Sequence, residues 1–165
     1  MSTVESNKRM IRFAPFALAL ICFLLPFIEV SCQGRPTASF TGVQLATGTE
    51  LERADPITGQ ITRQKIAKDA RILVALFCTG IAAAYAFVSK KRAKIISAIA
   101  GGTGFIFMLI AKGNLDAQVI QNGQGFLQID YRMGFIGACL LLLAGTAISF
   151  VQAIQTRSEF SVPPT

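Results

Sequence analysis

The stretch "LLPFIEVSCQG", residues 24–34, runs from leucines through a proline into an acid, a serine and a cysteine. It has three readings: a lipoprotein cleavage site, a redox site, or the place where a membrane helix meets water. A lipoprotein signal needs a small or aliphatic residue three places before its cysteine, and that place holds Glu29, with Pro26 further upstream. A basic segment followed by an apolar one does imitate a signal peptide, but this run reaches full membrane length and further apolar runs follow it. A redox site needs a second cysteine at the level of Cys32. Cys22, Cys78 and Cys139 instead lie within apolar runs, with no CxxC spacing. A thiol placed there acts as a small hydrophobe, and its burial opposes thiolate chemistry. The stretch therefore reads as a helix end: Pro26 loosens the last turn, Glu29 reaches the outer rim, and Cys32-Gln33-Gly34 turns the chain into an outside loop.

Outward from this point, apolar runs occupy residues 13–30, 72–88, 95–111 and 134–154. At 1.5 Å rise per residue they measure roughly 26 to 32 Å, close to the hydrocarbon thickness. Inside lipid every backbone amide must be satisfied within its own segment, so the runs predict helices. Composition agrees, with 52% of the 165 residues hydrophobic and only 15% charged. The predicted fold is an all-α membrane protein, a four-transmembrane-helix bundle carrying a small extracytoplasmic β-sheet. Short basic flanks set its orientation. Lys8, Arg9 and Arg12 precede the first run, and Lys90, Lys91, Arg92 and Lys94 fill the connection between the second and third. Residues 1–12, 89–94 and 155–165 are therefore expected in the cytoplasm, and residues 31–71 and 112–133 outside. The basic 89–94 connection would also lie against anionic headgroups; it reads first as an orientation signal, with bound lipid as the lesser alternative. The net charge of +7 is clustered beside apolar runs rather than interleaved with aromatics, so nucleic acid is not an expected partner.

The outside segments carry turn signals. Asp55-Pro56 and Thr58-Gly59, flanked by 50–54 and 60–65, predict a mostly polar hairpin. Upstream, "TASFTGVQLATG" predicts a further strand with Val43 and Leu45 on one face. In the second outside segment Asn122-Gly123 is the preferred pair for a two-residue hairpin turn. Val119 and Ile120 would form one arm, and Phe126, Leu127, Ile129 and Tyr131 the other. A lone hairpin is marginal in water, so the two segments are expected to pack together.

That outline is similar to claudin-like proteins, whose two extracellular loops build one sheet on four helices. The claudin first loop, however, has tryptophans and a cysteine pair, whereas this chain has no Trp and one cysteine in that segment. The outline therefore transfers no function. More locally, "LPFIEVSCQG" followed by "TGVQLATG" resembles small bacterial four-helix inner-membrane proteins. In those, a first span ends in a Pro-Phe…Ser-Cys stretch and a Gly…Gln-Leu…Thr-Gly segment follows. The resemblance covers residues 25–48. It implies a bacterial inner membrane with the sheet in the periplasm, and brings no activity with it.

Lipid tails are as apolar as leucine, so membrane helices associate through small residues. The second run offers Ala75, Thr79, Ala82 and Ala86, the third Ser97, Gly101, Gly104 and Met108, and the fourth Gly134, Ala138, Gly145 and Ser149. These seams could serve one bundle or neighbouring subunits. The "GGTG" of the third run lacks the Lys-Ser/Thr of a phosphate loop and does not follow a soluble strand.

The absence of histidine removes the commonest general base and a main metal ligand. No catalytic residue, metal ligand or cofactor is expected. Glu29 is the only acid within a run, and it is expected to form an outer-rim polar network with Arg71 and Arg132. Taken together, these features predict a non-catalytic inner-membrane protein, a structural or accessory subunit partnered by lipid and by other subunits or its own copies. An oligomeric channel or small-solute transporter is the alternative. A membrane thiol–disulfide oxidoreductase is a more distant one.

Overall fold

The computed structural model describes residues 3–32, 35–54, 61–66, 68–88, 90–122 and 127–158. These form, in order, α1 (Thr3–Cys22), β1 (Pro26–Cys32), β2 (Arg35–Thr41), α2 (Gly42–Thr47), β3 (Thr49–Ala54), β4 (Ile61–Ile66), α3 (Ala70–Ala86), α4 (Lys91–Asn122), β5 (Leu127–Tyr131) and α5 (Met133–Ser158). Helices α1 and α4 each pack against both α3 and α5, which closes a four-membered ring of helices. Two stretches, Arg92–Ala117 and Met133–Gln155, are long and apolar enough to cross a membrane, and Ala70–Ala86 is a shorter apolar helix. At one end sits a three-stranded antiparallel sheet in the order β2-β1-β5, while β3 and β4 pair as a separate hairpin. Residues 31–71 and 112–133 thus both contribute strands to one sheet.

The first apolar run is not a single helix, which corrects the predicted span over 13–30. Helix α1 ends at Cys22, and its last turn tightens as Leu24 N donates to Ile21 O (2.9 Å) and Leu25 N to Cys22 O (3.0 Å). The cause is Pro26, which has no N–H and disfavours the α conformation at Leu25. The following Phe-Ile-Glu-Val favours an extended chain, and the proline takes the first strand position, where its missing donor costs least. Residues 26–32 are thereby the central strand of the sheet, not the last turns of a span.

Two further expectations fail for related reasons. The segment around Val43 and Leu45 is helix α2, not a strand. Thr41 Oγ1 accepts from Gln44 N (3.2 Å) and Gln44 Oε1 accepts from Thr41 N (3.0 Å), a complete capping box. Residues 119–131 do not form the expected hairpin, because α4 continues through Val119 and Ile120 to Asn122. Extending a formed helix adds one hydrogen bond per residue without a new nucleus, whereas an isolated hairpin is marginal. The β3–β4 hairpin agrees with expectation, with Glu50 opposite Lys65 and Glu52 opposite Arg63. Its turn residues Asp55, Pro56 and Gly59 lie outside the described residues, as does Gly123.

The bundle interior is built on small residues meeting large ones. Phe16 of α1 is fully buried, and Cβ atoms added at Gly101 or Gly145 would each come within 2.8 Å of its ring. Gly104 faces Ala75, Cys78 and Thr79 of α3. Thr79 Oγ1 donates to Ala75 O (2.7 Å), and Ser97 Oγ crosses from α4 to Ala82 O on α3 (2.9 Å). Where sheet meets bundle, Phe23, Phe27, Phe135 and Tyr131 form a chain of ring contacts with centroids 5.0 to 5.8 Å apart.

Candidate functional site at the rim

Strand alternation sorts the sheet into two faces. Ile28 lies opposite Phe40 and Tyr131, and Val30 opposite Ala38 and Ile129, all on the face packed against the core. Glu29 lies between them on the other face, opposite Ser39 of β2 and Asp130 of β5. Two carboxylates directly across a strand pair repel, and Arg132 relieves this. It follows β5 immediately, its N–H donates to Phe27 O (2.9 Å), its Nε donates to Glu29 Oε2 (2.6 Å), and its Nη2 reaches the same oxygen.

A groove of about 380 Å³ opens beside this pair, lined by Leu25, Pro26, Glu29, Ser39, Arg132, Met133 and Gly134. The Glu29 side chain is 18% exposed and that of Arg132 52%, so the acid is held from within while the cation faces outward. Gly134 forms the joint, since a Cβ there would lie 2.6 Å from Pro26 O. Chemically the groove offers an apolar floor, one hydroxyl, an ion pair and the exposed Asp130 beside it. Its Glu29 carboxylate is already engaged by Arg132, which suits recognition better than proton abstraction. Among the described residues no group of three His, Cys, Asp or Glu side chains is placed to hold a metal ion.

Arg71, expected in the same network, lies elsewhere. Its guanidinium lies against the Asn114 side chain on α4, while its backbone N–H donates to Asp69 Oδ1 (2.9 Å) at the start of α3. A third cluster ties the extension of α4 to the sheet. The Tyr131 hydroxyl donates to Asp116 Oδ1 (2.6 Å) and lies 3.3 Å from Lys112 O. Lys112 Nζ donates to Asp116 Oδ2 (3.3 Å) and stands 4.9 Å from the Tyr131 ring centroid. Burial first, and the Asp116 hydrogen bond second, push the Tyr131 phenol above its usual range.

The small residues named from sequence, Ala75, Thr79, Ala82, Ala86, Ser97, Gly101, Gly104, Gly134, Ala138, Gly145 and Ser149, are all buried within this one chain. Lys90 and Arg92 are exposed at the opposite end, Lys94 is half-buried, and Lys91 opens α4. Cys22, Cys78 and Cys139 are free thiols. Sequence reasoning missed the burial of Arg12, which looked like one of three orientation charges. It also missed the α2 capping box, although Thr41-x-x-Gln44 carries that signal. No protein-family model and no curated protein matches the chain.

Proposed function

We propose that the chain is a multi-pass protein of a bacterial inner membrane, non-catalytic, serving as an accessory subunit whose outer layer receives a partner. In this reading the Arg12 end of α1 and the α3–α4 connection face the cytoplasm, and the sheet faces the periplasm. One observation carries it: the small residues of the packing seams are buried while many large apolar side chains are exposed. Leu18, Phe77, Ile99, Ile106, Leu140 and Phe150 are exposed, while Ala75, Ala82, Ala86, Gly101, Gly104, Ala138 and Gly145 are buried. Water would penalise such a surface, and hydrocarbon would not. Because the small-residue seams are used inside the bundle, the place left for a specific partner is the groove at Glu29 and Arg132. The same inward use of Gly101, Gly104 and Gly145 favours this reading over a pore formed between protomers along those glycines.

The test is extraction of native membranes in a mild detergent, followed by native mass measurement, with photo-crosslinkers placed at Ser39 and Met133. A second protein bound to the chain and crosslinked at those positions supports the reading. A stable monomer with no co-purifying protein counts against the accessory role, and recovery of the chain from the soluble fraction counts against the membrane itself.

A further inference from the structure

We propose that the end of the bundle centred on Arg12 is a binding site for a phosphate-bearing anion, either the headgroup of an inner-leaflet phospholipid or free phosphate. Arg12 is only 2% exposed. Its Nη2 makes one long hydrogen bond, 3.4 Å to Val88 O just beyond the end of α3. Its Nε and Nη1 are buried without any partner. Guanidinium keeps its charge at any physiological pH, so deprotonation gives no escape from burial, and buried charges in proteins are normally paired.

A second orphan shares the layer. Ser149 on α5 is fully buried, and its Oγ has no partner. Helices α1 and α5 run antiparallel, with Cys22 against Gly137 and Phe16 against Gly145. One further turn along each brings Arg12 and Ser149 to the same level. Ser97, one turn from Gly101 on α4, reaches that level as well, and its hydroxyl is engaged by Ala82 O. Among the described residues, the buried side-chain groups without partners are therefore two Arg12 nitrogens and the Ser149 hydroxyl, at one height of the bundle.

The buried guanidinium itself selects the ligand. Arg12 carries a fixed positive charge, and its Nε and Nη1 have no acceptor among the described residues. A ligand that satisfies them is therefore anionic and rich in acceptor oxygens. A phosphate group supplies several acceptor oxygens at once, enough for separate guanidinium edges and a hydroxyl, and arginine is the side chain best matched to it. Basic pockets between helices on the cytoplasmic side suit anionic lipid headgroups. The lipid form of this ligand rests on the membrane reading above, whereas the anion site rests on the side chains alone.

The experiment uses the full chain, delipidated in a non-ionic detergent. It is titrated with dioleoylphosphatidylglycerol, dioleoylphosphatidylcholine or sodium phosphate, and followed by native mass spectrometry and thermal unfolding. The wild type should take up one saturable phosphatidylglycerol with a rise in unfolding temperature. Arg12→Gln should weaken that binding on the order of tenfold, equivalent to about 1.4 kcal/mol, and abolish the rise. An exposed-loop variant, Lys90→Gln with Arg92→Gln, should keep both. If Arg12→Gln does not fold, Arg12→Lys, which keeps the charge and loses the planar fork, should bind more weakly than wild type. A shift produced by sodium phosphate alone supports the site and assigns it to free phosphate. Equal uptake by wild type and the Arg12 variants, or loss only in the loop variant, overturns the site. A chain found soluble without detergent overturns the lipid form and the membrane reading, and the phosphate titration then decides the site.

Discussion

Gly145→Ala tests the bundle interior directly. The added methyl would stand 2.8 Å from Phe16 Cζ and 2.9 Å from Cε1. Carbon atoms prefer about 3.5 to 4.0 Å, so the ring must retreat by roughly an ångström. Retreat toward α4 is blocked, because the Cβ position of Gly101 is itself 2.8 Å from Phe16 Cε1. Overpacking of this kind costs about 1 to 3 kcal/mol, set against a helix-propensity gain of about 0.8 to 1 kcal/mol on replacing glycine. The net expectation is a loss of about 0 to 2 kcal/mol. Gly80 and Gly113 have no atom within 4 Å of their Cβ positions. There Gly→Ala should give the propensity gain alone. Unfolding can be followed in mild detergent with a thiol-reactive dye, since Cys22, Cys78 and Cys139 are free and none is exposed. Phe16→Leu in the Gly145→Ala background should recover part of the loss, with a coupling of about 1 to 2 kcal/mol, within the range for residues in contact. Gly145→Ala as stabilising as Gly80→Ala, or additivity with Phe16→Leu, would refute the packing described for Phe16.

At the rim, Glu29→Gln should cost under about 1 kcal/mol, because half-exposed Arg132 screens the pair; a loss of several kcal/mol in the same dye assay would contradict this. Tyr131→Phe should cost about 1 to 2 kcal/mol at neutral pH through the lost hydrogen bond to Asp116. A phenol raised on folding contributes fully below its unfolded value, about pH 10, and loses that contribution as pH rises through the folded value. The wild-type-minus-Tyr131→Phe absorbance at 295 nm, clean because the chain has no Trp, should therefore show no ionisation at about pH 10, and a midpoint there would sink the idea. Thr41→Ala should lower the unfolding midpoint by the equivalent of about 1 kcal/mol, the usual value of a helix N-cap, and an unchanged midpoint would mean that the α2 cap is not formed. Gly134→Ala should be more damaging than Gly145→Ala, because its methyl meets the Pro26 carbonyl, a backbone atom, instead of a ring; equal midpoints for the two variants would show that the joint can yield.

Much of the bundle was legible because lipid-length apolar runs and small-residue spacing report packing directly. Gly101, Gly104 and Gly145 were recognisable as contact points, although not as the walls around Phe16. The boundaries failed where one signal hid another. Hydropathy is continuous through Phe27, Ile28 and Val30, so it does not register that Pro26 has switched the backbone from helix to strand. At Asn122-Gly123 a strong turn pair stood at the end of a helix already propagating, and nothing local shows that Tyr131 anchors that helix through Asp116. The rim pair Glu29–Arg132 followed from level and charge. Arg71 did not join it, because level alone does not fix which helix face a long side chain shares. Arg12 was least legible of all. A basic residue at the foot of an apolar run has the same appearance whether it faces water or the bundle interior.

The connections between sheet and bundle bear on what the rim can do. Only Arg132 separates β5 from α5, and only residues 23–25 separate α1 from β1. Within those connections the Arg132 N–H is bonded to Phe27 O, and Val43 N donates to Phe23 O (3.1 Å). The sheet is therefore not a domain on a tether. Its central strand continues α1, its edge strand leads into α5, and Tyr131 grips α4. A ligand or partner seated beside Glu29 meets a surface whose backbone is already fixed from several directions, so little ordering is left to be done on binding. The same rigidity means that a displacement of Arg132 is passed to the first turn of α5, while Pro26 and Gly134, pressed together at the joint, leave that turn no room to absorb it.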